Sequence, residues 1–165
     1  MPAFNYNLTW EDPKLTYEPN PDVGGFALAG INSHDWPVDF ATISAVPVSQ
    51  RPTLVFNFYT KNYWNPSRLG GLYYQDVTSR AYDECVNAGL ITGIKILQKA
   101  IISCGSTIGI DGDFGPLTME AANSLDDDQL LAALRSQRLA YYKKIVDNNE
   151  LDIKYFANWK ERALA

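Results

Sequence analysis

The sequence predicts a mainly α domain with a small β-ribbon near its N-terminus, and three observations carry that prediction. Pro13, Pro19, Pro21 and Pro37 crowd the first 37 residues together with Gly24-Gly25 and Gly30, which suits turns and short extended pieces better than a long helix. From residue 38 onward apolar residues recur at helical spacing, as in Val77, Ala81 and Cys85, or Ile94, Leu97 and Ile101. The helical stretches are punctuated by stop signals, Gly89 among them. With 165 residues, 46% of them hydrophobic and 20% charged, the chain reads most simply as one domain, 1–165, large enough to bury a core.

Residues 1–37 read as irregular structure holding the ribbon, with Phe26, Leu28 and Ile31 as its inward or paired positions. In the helical body, 38–165, Asp39 can cap a short helix to about Val46. Pro52 suits the first turn of a helix running to about Trp64, which the segment NPSRLGG then breaks. A strong helix follows from about Tyr74 to Ala88, and another from Leu90 to about Ser103. The latter is apolar around much of its circumference and is expected to be the central buried helix. After the loop CGSTIGIDGDFGP comes a short helix, Leu117 to Leu125. Asp126, Asp127 and Asp128 then complement the dipole of a helix reaching about Val146, and a last helix spans about Asp152 to Leu164.

Composition removes several classes of function. A net charge of −5 argues against nucleic acid, whose binders need Lys and Arg to displace counterions. The same charge is awkward for an anionic polymer unless the binding groove is locally neutral or basic. No apolar run approaches membrane-spanning length, so no membrane insertion is expected. The opening MPAFNYNLTWEDPK lacks the charged and apolar regions of an export signal. The chain is therefore expected to be made in the cytoplasm as a monomer, with another system delivering it if it acts outside. The single histidine, His34, allows no His-rich zinc site, and no Walker or Rossmann glycine loop is present. Cys85 and Cys104 read as buried free thiols, and Asp111-Gly112-Asp113 is too short for an EF-hand and reads as a turn. Neither metal nor cofactor is expected.

What remains is carboxylates. Glu11, Glu18 and Asp22 cluster on the ribbon, and glycosidic bond cleavage needs one protonated acid and a second carboxylate as base, nucleophile or stabiliser. Glu11 follows Trp10, whereas Asp22 lies in a Pro/Gly-rich turn with backbone N–H groups nearby; two unlike environments are what two unlike roles require. Ordinary loop carboxylates would look the same at this level. Ten Tyr, seven Phe and four Trp exceed what a small core needs and could line a sugar groove. Tyr59, Tyr63 and Trp64 are the candidates for stacking, Asn87 and Asn32 for polar contacts, and Glu18 for the rim.

The order of these motifs resembles glycoside hydrolase family 108, the lysozyme-like N-acetylmuramidases that include phage endolysins. Glu11, Asp22, Gly24-Gly25 and Gly30-Ile31 look like that family's catalytic ribbon, and FYTKNYWNP (58–66) looks like its aromatic helix end. YDECVNAG (82–89) and GIKILQKAI (93–101) look like its central helices. From about residue 85, with IDGDFGPLTMEAAN (110–123) and the closing RLAYYKKI and FANWKERAL, the chain looks like a peptidoglycan-binding-type half. The resemblance implies a lysozyme-like fold and hydrolysis of the β-1,4 bond between N-acetylmuramic acid and N-acetylglucosamine in peptidoglycan strands. Glu11 would be the acid and Asp22 the second carboxylate. Two departures point to an alternative, a lysozyme-like module that grips peptidoglycan or takes part in an interaction without cutting. Asp12-Pro13-Lys14 stands where the family has Gly-Gly-Tyr, and Ala27-Leu28-Ala29 stands where a small hydroxyl residue is expected.

Overall fold

The computed structural model describes residues 1–22 and 25–165, Glu150 by its backbone alone. The chain is mainly helical, with a three-stranded antiparallel sheet near its N-terminus. The largest difference from the sequence reading comes first. Residues expected to be irregular form a helix, α1 (Pro2–Glu11). The prolines that forbid a long helix bracket these ten residues without entering them, and Pro2 at the first turn favours helix initiation. Ala3, Phe4, Asn7 and Leu8 form its buried stripe.

The ribbon follows as β1 (Asn20–Asp22), β2 (Gly25–Leu28) and β3 (Ile31–Asn32), in that spatial order. Val23 and Gly24, the latter half of the expected Gly-Gly turn, lie outside the described residues. Leu28 pairs with Ile31, and both are fully buried as expected. Phe26 instead is 51% exposed, because it stands two positions from Leu28 near the hairpin end, where the sheet has no second layer to cover it. Ala29 and Gly30 between β2 and β3 both have positive φ, 47° and 78°, as a two-residue I′ hairpin turn demands.

Helix α2 (Pro37–Ser44) begins at Pro37, which places Asp39 in its first turn and not at its cap. Helix α3 (Arg51–Tyr59) continues through a π-helical turn, Thr60–Trp64, into the short α4 (Asn65–Ser67). The C-terminal part comprises α5 (Gln75–Ala88), α6 (Leu90–Ser103), α7 (Pro116–Asn123), α8 (Asp127–Asn148) and α9 (Ile153–Leu164). At the start of α8 the Asp126 carboxylate accepts the Gln129 N–H, a side-chain cap. The loop before α7 is pinned by buried Gln98, which donates to Asp111 and to the Asp113 carbonyl while accepting from Gly112 N–H. Those bonds hold Asp111-Gly112-Asp113 as a turn, and the Asp113 N–H, followed by Gln98, holds the Asp111 carboxyl below its usual range by hydrogen bonding to it.

The central helix is α5, not α6 as the sequence suggested. Every residue from Val77 to Cys85 is buried, and α1, α6 and α8 all pack on it. Helix α6 buries one face, Ile94, Leu97 and Ile101 included, and leaves Ile91 63% exposed. The sequence misleads here because α5 carries Arg80, Asp83 and Glu84 inward, residue types that otherwise mark a solvent face. Around α5 lies one apolar cluster from α4 to α8; a second joins α1, the ribbon, α2 and α3, and Tyr63 and Val86 pack against both. Cys85 is a buried free thiol and Cys104 a half-buried one. Among the described residues no helix is long and apolar enough to cross a membrane.

Helices α5 and α6 approach closely at Gly93, where a Cβ would stand 2.6 Å from the backbone nitrogen of Cys85 and 2.7 Å from its Cα. No side-chain rotation relieves a collision with backbone, so α5 and α6 would have to separate. Gly93→Ala is expected to lower unfolding stability by about 1–3 kcal/mol in a urea titration; a wild-type midpoint would show that the crossing is looser than drawn.

Candidate active site

A cleft of about 250 Å³ opens between the ribbon and the start of the helical body. Glu11, the last residue of α1, forms one wall with Gly30 from the β2–β3 turn. Asn32, Asp35 and Trp36 line the cleft as well, together with the aromatic Phe58, Tyr59 and Tyr63 and with Val86 and Asn87 from α5. Gly30 is required here for space as well as for its φ. A Cβ on it would lie 2.6 Å from both Glu11 Oε2 and the Tyr59 hydroxyl oxygen. The glycine thus lets the turn close down on the acid.

Glu11 is held from behind. Its Oε1 accepts a 2.6 Å hydrogen bond from Arg162 Nη2 on α9, and its side chain is 19% exposed. Arg162 also grips Asp83 of α5, at 2.8 Å from Nη2 and 3.1 Å from Nε. Asp83 in turn accepts from Asn7 of α1 and from Arg138 Nη2 of α8, the latter at 2.6 Å. Arg138 Nε donates to Glu84 at 2.6 Å, and the Tyr142 hydroxyl donates to the same Glu84 oxygen at 3.0 Å. Asn87 closes the circuit by donating to Tyr142 at 2.6 Å. Burial pushes the Glu84 carboxyl up, with Arg138 opposing. Three carboxylates, Glu11, Asp83 and Glu84, thus share two guanidiniums, so the cluster can take up one proton without leaving a cation unpaired.

The cleft tyrosines respond to Glu11 electrostatically. The Tyr59 hydroxyl is fully buried, donates to the Ala29 carbonyl at 2.7 Å, and is pushed well up by burial and then by the Glu11 charge. Tyr63 is raised by burial, by Glu11 and by Asp35, against a hydrogen bond with Trp36. Its phenol therefore feels both carboxylates of the cleft. Asp35 is oriented by Asn32, whose amide donates to its carboxylate at 2.8 Å while the Asn32 carbonyl accepts from the His34 and Asp35 N–H groups.

Of the residues singled out in the sequence, Glu11, Asn32, Tyr59, Tyr63 and Asn87 meet in this cleft. The others stand elsewhere. Asp22 is exposed at the end of β1 and is not part of the cleft lining. Glu18 pairs with Arg51 at 2.8 Å, on the far side of the 12–18 loop. Trp64 packs edge-on against Tyr82, ring centroids 5.6 Å apart, and belongs to the core around α5. Asp12, at a position where the resemblance expects glycine, builds that loop: its carboxylate accepts from Thr16 N–H at 3.0 Å and Tyr17 N–H at 2.7 Å.

Sequence reasoning missed Asp35 and Trp36, which looked like mere neighbours of His34. The available signal was Asn32 three residues before Asp35, an Asx-turn spacing ahead of a Pro-initiated helix. It also missed Arg162, Arg138 and Asp83, whose contacts span 54 to 151 residues of chain. The adjacent acids Asp83-Glu84 inside an otherwise buried run were the only hint. Among the described residues no group of three or more metal-ligating side chains could hold an ion.

Breaking this network from one side leaves a buried charge unpaired. Arg138→Ala leaves Glu84 without a cation inside α5, while Asp83 keeps Arg162, and is expected to cost about 3–5 kcal/mol of unfolding stability. A loss in the range of a surface ion pair, about 1 kcal/mol or less, would contradict the burial described.

Comparison with known proteins adds two findings. Residues 92–164 match the family model described as "Predicted Peptidoglycan domain". The structure of Brucella abortus SagA superposes with a TM-score of 0.63 at 23% identity, over 98% of this chain and 91% of that one. At that identity the likeness is one of fold. No curated protein matches the sequence.

Proposed function

We propose that this protein acts on peptidoglycan as a muramidase, hydrolysing the β-1,4 bond between N-acetylmuramic acid and N-acetylglucosamine. The observation that carries the reading is Glu11 at the C-terminal end of α1, packed against a glycine turn in a cleft also lined by Trp36, Phe58, Tyr59 and Tyr63. The match of residues 92–164 to a predicted peptidoglycan domain supports the polymer, and the motif order of the N-terminal part supports the bond.

In this reading Glu11 gives a proton from Oε2, the oxygen beside Gly30, to the glycosidic oxygen as its bond to the sugar carbon breaks. Arg162 keeps Oε1 fixed, so the donor oxygen is aimed and not free to swing. Asp35, anchored by Asn32 and the other carboxylate that lines the cleft, is assigned to stabilise positive charge on the sugar or to orient the attacking water. Water adds to the sugar carbon, its leftover proton returns to a carboxylate, and a reducing end results. Asp22, at the hairpin end, serves as the comparison for that second role.

A second reading, a domain that grips peptidoglycan without cutting, is favoured by two features. Arg162 occupies one oxygen of Glu11, and Leu28 stands fully buried in the stretch where a hydroxyl residue is expected. Release of reducing ends from purified peptidoglycan separates the two. Glu11→Gln is expected to lower the rate by about 10²-fold or more, Asp35→Asn by a similar order, and Asp22→Asn by much less. Sedimentation with peptidoglycan but no reducing ends from the wild type would select the binding module. Undiminished release by Glu11→Gln would overturn the muramidase assignment.

A further inference from the structure

A solvent-facing groove outside the cleft lies between α6 and α8 and encloses about 460 Å³. One stripe of α6, Ile91, Thr92, Lys95, Ile96 and Lys99, forms one wall. Tyr141, Lys144, Ile145 and Asn148, at helical spacing on α8, form the other. The groove combines an apolar floor with three lysines. Ile91 is 63% exposed there, an aliphatic surface turned to solvent, while Tyr141 and Ile145 are half-buried and line the same groove.

Charge sets this groove apart from the rest of the molecule. The chain carries a net −5, yet three cations converge on this one concavity. Among the described residues Lys95, Lys99 and Lys144 form no ion pair. The neighbouring Lys143 is committed to Asp147 at 2.8 Å. The acid nearest Lys95 in effect, Asp111, already accepts from Gln98 and from Asp113 N–H. An anionic ligand would therefore meet positive potential over an apolar floor, a combination suited to a short peptide bearing carboxylates. All the groove residues but Ile91 fall within 92–164, the stretch matched as a predicted peptidoglycan domain.

From these observations we infer that the α6–α8 groove binds the acidic stem peptide of peptidoglycan, with Lys95, Lys99 and Lys144 receiving its carboxylates and Ile91, Tyr141 and Ile145 its aliphatic side chains. The inference rests on the peptidoglycan reading and extends it: glycan in the cleft beside Glu11, peptide in a second site on the helical body. It also answers the mismatch between an acidic chain and an anionic polymer, because the groove that meets the charge is locally basic.

The test is a calorimetric titration of the full chain with three soluble probes: a disaccharide muropeptide with free peptide carboxylates, the same muropeptide with those carboxylates amidated, and a peptide-free glycan oligomer. The wild type is expected to prefer the acid over the amidated form, with the preference falling as salt rises. The double substitution Lys99→Gln and Lys144→Gln, which keeps much of each side chain's length, is expected to reduce that preference by about five- to ten-fold. Equal affinity of the wild type for acid and amidated forms, or an unaltered preference in the double variant, would overturn the inference. If peptide-free glycan still binds in either of those cases, the peptidoglycan reading survives and only the peptide site is lost. If none of the three probes binds, both fall.

Discussion

The structure depends on one buried charge cluster, Asp83 and Glu84 on α5 held by Arg138 from α8 and Arg162 from α9. Charges with no exposure at Arg138, Asp83 and Glu84 would be costly if any partner were absent, so the helices can pack in one arrangement only when all are in place. Asn7 joins α1 to this cluster through Asp83, and Arg162 passes it on to Glu11. The candidate acid is thus positioned by the C-terminal helix, from 151 residues away along the chain. Fold and site share the same four side chains, which ties the ordering of α9 to the geometry of the cleft.

A second constraint acts from the opposite side. The I′ turn at Ala29-Gly30 closes on Glu11 because no Cβ intervenes, and Tyr59 fastens that turn through the Ala29 carbonyl. Glu11 sits between a cation behind it and a glycine in front, with its two oxygens in different surroundings. Asp35 completes the cleft through local chemistry alone, a turn organised by Asn32 and stopped by Pro37.

Much of this was legible in the sequence, and the failures have physical causes. Helices α5 to α9 announced themselves through apolar spacing, the Asp126 cap and the glycine stops, and Leu28 with Ile31 marked the inner face of the ribbon. Helix α1 was hidden because its buried stripe includes Asn7 and because later prolines dominate the impression of the first 37 residues. Helix α5 was underrated because its buried acids and arginines imitate a surface. Glu11 could be singled out from sequence as one of three clustered carboxylates, set beside Trp10 and at the position the resemblance gives to an acid. Its partners could not, because Asp83, Arg138 and Arg162 are brought together by helix packing and no local pattern encodes such pairing. The Asx turn that orients Asp35 could have been read from Asn32 and Pro37, whereas the sequence reading took Asp22 as the second carboxylate for its Pro/Gly-rich turn.

In the proposed reading the N-terminal elements carry the acid Glu11 while the C-terminal helices fix it through Arg162 and supply the basic groove. The most direct check of that account is mass spectrometry of purified peptidoglycan after incubation with the wild type and with Glu11→Gln. The account predicts fragments ending in reducing N-acetylmuramic acid from the wild type and none above background from the variant. Fragments ending in reducing N-acetylglucosamine, peptide-bond products, or identical fragments from both proteins would contradict it.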